Sequence, residues 1–141
     1  MDGIPHPSLL TAFPRSVAII DRRPEYARML ATLVTEQQPT SAVRTFADPD
    51  EAERWITSAP APILVLVDVA AGRGAAMARA VTWRARRADV LLVALFDANL
   101  DDEVALARRA DADASVAKPC CRADWVRSFD ALWRVPQSLA S

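Results

Sequence analysis

Lysine is almost missing from this 141-residue chain. Of its 17 basic residues, sixteen are arginine and one is lysine, at Lys118. Cysteine is nearly as scarce. The only two, adjacent at Cys120 and Cys121, cannot frame a disulfide-held fold and read as free thiols of a reducing compartment. With the single histidine, His6, they are too few for a zinc site of ordinary ligand spacing. A net charge of -1 argues against binding nucleic acid through bulk electrostatics. The longest apolar run without a charge, Ala59 to Val67, falls far short of the ~20 residues that span a bilayer. The opening MDGIPHPSLL has no basic stretch ahead of an apolar one, so no signal peptide is expected. These absences leave a cytoplasmic domain with no membrane contact and no nucleic-acid partner as the expectation.

What is present is enough for a core. Mean hydropathy is +0.07, and four Trp and four Phe accompany 28 alanines. The length suits one domain. Residues 1–14, with three prolines and little periodicity, read as a flexible leader. Residues 15–135 read as the domain, and 136–141 as a tail or the start of a linker.

Within the domain, short β-branched runs alternate with helical spacing. Ser16–Ile20 predicts a strand, and Pro24 opens a helix through about Gln37. Ser41–Phe46 alternates as a strand. Asp48-Pro49-Asp50-Glu51 is a helix start, with Asp48 as N-cap and Pro49 in the first turn. Ile63–Val67 and Val90–Leu95 are apolar on both faces, as strands buried in a parallel sheet are. Between them, Ala75–Arg87 predicts a helix with Met77, Val81 and Ala85 on one face. Leu100–Ala110 predicts another, led by Asp101, Asp102 and Glu103 at the positive end of its dipole. A weak strand, Ala114–Ala117, ends at Lys118-Pro119. Arg122–Arg134 closes the chain with Trp125, Phe129, Leu132 and Trp133 on one stripe. Five strand-helix units imply an α/β fold, a parallel sheet covered on both faces.

In such sheets function collects at the carboxyl ends of the strands. Asp21, Asp68 and Lys118 all sit at such ends. Carboxylates there can hold a hard cation or act as a nucleophile, and an ammonium can pair with a phosphoryl group. One charged strand end is ordinary solvation; three in register are a candidate site.

The segments AIIDRRPEYARML, PILVLVDVAAG and ADADASVAKPC, in that order and spacing, resemble the response-regulator receiver domain of the chemotaxis-regulator type. The resemblance runs from about Ser16 to Trp133. It implies a flavodoxin-like, doubly wound (βα)5 fold with strand order 2-1-3-4-5. It implies that Asp68 is the phosphoacceptor, Lys118 the phosphate-pairing lysine and Asp21 the first of the paired acids. It also implies a role in two-component phosphorelay signalling, with a histidine kinase or a downstream effector as protein partner. Docking or homodimerisation is expected on the helix 4, strand 5, helix 5 face.

Four departures qualify the likeness. The second acid of the pair is Arg22 here, a cation where the family helps to hold Mg²⁺. The strand-four hydroxyl position aligns with Phe96, and the aromatic switch position with Ser115. The loop after Asp68, VAAGRG, is short and lacks the family's proline. Together they imply an atypical receiver, a protein-binding module with weak or absent Mg²⁺-dependent phosphorylation. The alternative is a working receiver phosphorylated on Asp68. No cofactor is expected in the first case; in the second, Mg²⁺ would lie on Asp21 and Asp68.

An enzyme on a similar sheet is disfavoured. An Asp-nucleophile phosphatase would want an acid where Ala70 stands. A flavodoxin would want a phosphate-cradling loop where the chain reads DRRPEY, and Gly72-Arg73-Gly74 stands alone. Arg84-Arg86-Arg87 and Arg108-Arg109 read as solvated helix ends. Trp133, or Trp83, is a candidate exposed anchor for a partner.

Overall fold

The computed structural model describes the backbone from Pro14 to Ala140 and side chains as far as Leu132. Residues 1–13, His6 among them, and the Trp133 side chain lie outside the described residues.

Five parallel strands form one sheet in the order β2-β1-β3-β4-β5. They are β1 (Ser16–Ile20), β2 (Ala42–Phe46), β3 (Ile63–Asp68), β4 (Val90–Phe96) and β5 (Ala114–Ala117). The helices are α1 (Pro24–Gln37), α2 (Pro49–Ser58), α3 (Ala75–Arg86), α4 (Asp101–Arg109) and α5 (Arg122–Ala140). A short turn, Ala71–Gly74, with Gly72 and Arg73 in the left-handed region, precedes α3. The expected flavodoxin-like α/β architecture and strand order are therefore the observed ones.

The two-faced apolar runs explain the layering. β1, β3 and the first six residues of β4 are buried throughout. Side chains alternate across a strand, so Val17, Ile19, Leu64, Leu66, Val93 and Leu95 face α1 and α5, joining Leu30, Val34, Trp125 and Phe129. Ala18, Ile20, Val65, Val67, Leu92 and Ala94 face the other way, joining Ile56 of α2, Met77 and Trp83 of α3 and Ala107 of α4.

Local chemistry sets the helix starts. Pro49 opens α2 and the Asp48 carboxylate accepts the Asp50 N–H at 2.8 Å, the expected cap. Pro24 opens α1, and Asp21 accepts the Arg23 N–H at 2.8 Å just before it. Gly74, at φ 95°, turns the chain into α3 in a backbone conformation that glycine takes without a Cβ penalty.

Three expectations need correction. Trp83 is not an exposed anchor: it is buried, and its indole N–H donates to Glu53 at 2.6 Å. Arg79 bonds the same carboxylate at 2.8 Å, and the two donors hold Glu53 below the usual carboxylate range. Ala85 is exposed, because the stripe of α3 that meets the sheet runs through Ala76, Met77, Ala80 and Trp83 instead. The closing helix does not end at Arg134 but continues to Ala140. Trp125, Phe129 and Leu132 are core residues of α5. The arginines at the end of α3 are paired as well as solvated. Arg84 meets Asp113 at 2.9 Å and Arg87 meets Asp89 at 2.9 Å.

Candidate functional site

Three strand ends deliver the sequence-predicted charges to one place. Asp68 is the last residue of β3, Asp21 directly follows β1, and Lys118 directly follows β5. Parallel strands put these ends on the same edge of the sheet. The N–H of Asp21 donates to Phe46 O at 3.1 Å and that of Lys118 to Phe96 O at 2.8 Å, so strand-like hydrogen bonding fixes both positions.

The Lys118 ammonium joins the two acids. Its Nζ lies 3.0 Å from Asp21 Oδ2 and 3.3 Å from Asp68 Oδ1. The remaining Asp21 oxygen takes the Arg23 N–H, and Asp68 Oδ1 takes the Ala70 N–H at 3.0 Å. Both carboxylates are buried, and the Asp68 side chain is 0% exposed. A buried carboxylate without a partner is costly, and the lysine pairs with both acids at once. It also sits 5.1 Å from the centre of the Tyr26 ring, a cation–π contact. The Tyr26 hydroxyl donates to Pro119 O at 2.8 Å and seals that side. Burial pushes the Tyr26 phenol above its ordinary range, with the charge of Asp21 adding to it.

Arg22 occupies the other side. Its Nε is 3.6 Å from Asp68 Oδ2 and its Nη2 is 3.0 Å from Glu103 Oε2. Burial works against its charge. The hydrogen bond to Glu103, with the charges of Asp68, Glu103 and Asp21, outweighs that and raises the guanidinium above its ordinary range. Phe96, at the end of β4, is half-buried, and its place offers no hydroxyl to the pocket. Ser115 on β5 is exposed and donates to Ala107 O at 3.3 Å, away from the carboxylates. Thus Asp21, Arg22, Asp68 and Lys118 come together, and Ser115 does not join them. Cys120 and Cys121 are free and exposed.

Glu103 is the residue that the sequence did not single out. It read as one of three acids opening a helix, yet it is buried, and its second oxygen accepts the Asp97 N–H at 2.9 Å. Its arginine partner lies 81 positions earlier, beyond any local pattern. The pocket therefore holds three carboxylates, Asp21, Asp68 and Glu103, and two cations, Arg22 and Lys118. Among the described residues no group of three or more His, Cys, Asp or Glu is placed to hold a metal ion.

No family model matches the sequence, and no curated protein matches it. Solved structures do match. The receiver domain of the TMAO respiratory system response regulator TorR superposes with a TM-score of 0.66 at 20% identity, over 86% of this chain and 99% of that one. A CheY-like response-regulator receiver domain protein from Methanospirillum hungatei gives 0.68 at 13% identity, over 89% and 98%. The chain has the receiver-domain fold. A structure described as an adenylate cyclase from Rhodopirellula baltica shares it, with a TM-score of 0.63 at 16% identity over 90% and 93%. Among the described residues no helix is long and apolar enough to cross a membrane.

Proposed function

We infer that this protein is an atypical receiver, a cytoplasmic signalling module that works by binding another protein and is phosphorylated on Asp68 weakly or not at all. The observation that carries this reading is the position of Arg22. Its guanidinium stands 3.6 Å from Asp68 Oδ2, at the position where the family that the chain resembles carries an acid. Mg²⁺ wants near-octahedral oxygen coordination. Here Asp21 and Asp68 both face Lys118, and the third place is a fixed positive charge that repels a dication. That donor set does not fit Mg²⁺.

Access argues the same way. Acyl phosphate formation requires a carboxylate oxygen to attack phosphorus while the leaving group departs in line. Asp68 has no exposed side-chain surface, and both of its oxygens face cations. Phosphoryl transfer depends mainly on positioning and charge neutralisation, and a fixed guanidinium supplies less of both than a mobile metal. With Phe96 and Ser115 in the switch positions, the relay from phosphate to surface lacks its hydroxyl and its aromatic ring. The family resemblance supports a partner surface on the α4, β5, α5 face.

One observation favours the second reading, a working receiver phosphorylated by a histidine kinase: Lys118 and Asp68 are held 3.3 Å apart. Intact mass after incubation with acetyl phosphate and Mg²⁺ separates the two. The expected result is no added phosphoryl group. Ready addition of one, lost in Asp68→Ala, overturns the atypical reading. The complementary arm is Arg22→Asp, which restores an acid and is expected to show Mg²⁺ binding by isothermal titration where the unaltered protein shows none.

A further inference from the structure

Helix α4 is fastened to the molecule by a charge. Its buried side chains are Glu103 and Ala107, and packing from Leu106 is only partial. Glu103 is 2% exposed. A carboxylate in such a place is tolerable only when its oxygens are hydrogen-bonded and its charge is met. Both conditions are satisfied from outside the helix. Oε1 accepts the Asp97 N–H at 2.9 Å, which closes the β4–α4 loop on itself. Oε2 accepts from Arg22 Nη2 at 3.0 Å, reaching across from the β1–α1 loop. The Arg22 Nε faces Asp68. One guanidinium thus connects the buried carboxylate of β3 to the buried carboxylate of α4.

We propose that Arg22 and Glu103 form a built-in latch that ties the first turn of α4 to the carboxylate pocket. Glu103 is then a positioning residue. The place of α4 is set by an internal ion pair and not by chemistry at Asp68. This rests on the reading that Arg22 is the fixed cation of the pocket, and it says what that cation does for the surface: it holds α4 in one position.

Hydrogen–deuterium exchange on the full chain tests the latch through the amides of residues 97–104, where the Asp97 N–H is itself a donor to Glu103. Glu103→Gln keeps the shape and an acceptor but removes the charge; Arg22→Ala removes the cation. Each is expected to lower protection in this segment by about tenfold, the effect of losing one charge-assisted hydrogen bond. The double variant should lose no more than either single one, and the β3 amides should stay protected in all three. Arg22→Lys should recover part of the protection. Unchanged exchange at residues 97–104, or losses that simply add in the double variant, overturns the proposal. The phosphoryl-uptake test is separate. Uptake by the unaltered protein with the coupling intact would sink the atypical reading and leave the latch standing. Absent coupling without uptake would do the reverse.

Discussion

Helices α5 and α4 lie on opposite faces of the sheet and are anchored by opposite chemistry. α5 buries Trp125, Phe129 and Leu132 against β-strand leucines and valines, with the Trp125 and Phe129 rings edge to face at 5.5 Å. α4 buries an alanine and a glutamate. Apolar burial is non-directional and scales with area, so α5 is held by many small gains spread over its length. An ion pair is directional and local, so α4 depends on where one arginine lies. The face that carries α5 is scaffold. On the other face, the place of α4 hangs on one internal ion pair.

The largest effect should come from breaking the scaffold side. Trp125→Ala removes a side chain that is 1% exposed and should lower stability by about 3–5 kcal/mol in urea unfolding. Trp125→Phe should cost clearly less. It keeps much of the ring contact, and it removes a buried indole N–H that has no hydrogen-bond partner among the described residues. If the two substitutions cost the same, the ring contact that Phe keeps has no weight, and the apolar anchoring of α5 at this position fails.

The middle-sized effect concerns the charged side. Arg22→Ala strips the cation from Glu103 and Asp68. Breaking a fully buried pair costs about 3–5 kcal/mol, but the Arg22 side chain is 36% exposed and water can enter its place, so about 1–2 kcal/mol is expected. The comparison between the helices breaks if this loss matches that of Trp125→Ala. It sharpens if exchange in the Arg22 variant rises around α4 while the α5 amides keep their protection.

The same contrast explains what could be read in advance. The apolar runs of β3 and β4 announce the sheet because their pattern is local, and so do Pro24, Asp48 and Pro49 at helix starts. Asp21, Asp68 and Lys118 were legible because parallel topology alone brings strand ends together. Glu103 was not, since its meaning comes from Arg22, far away in sequence. Trp83 misled for the same reason. A tryptophan on a polar helix reads as an exposed anchor until Glu53, 30 positions earlier, is seen to accept its N–H. Local physics writes the elements; pairings between them have to be seen.

The smallest effect lies where α1 borders the pocket. Tyr26 is the only tyrosine, so its ionisation is read without overlap from another. Burial and the charge of Asp21 raise its pKa in the folded chain above the ordinary ~10 of an unfolded one. The folded state therefore holds this proton more tightly. The resulting stability is complete below pH ~10 and is lost as pH climbs above it. Tyr26→Phe should cost about 1 kcal/mol at neutral pH, the hydrogen bond to Pro119 O, and should abolish that alkaline loss. Lys118 would keep an aromatic face beneath it. A tyrosinate band rising at pH ~10 in the folded protein would mean that the ring is not sealed against Pro119. The pocket would then be open on the α1 side, and the burial that holds Asp21 and Lys118 together would have to come from the β-strand ends alone.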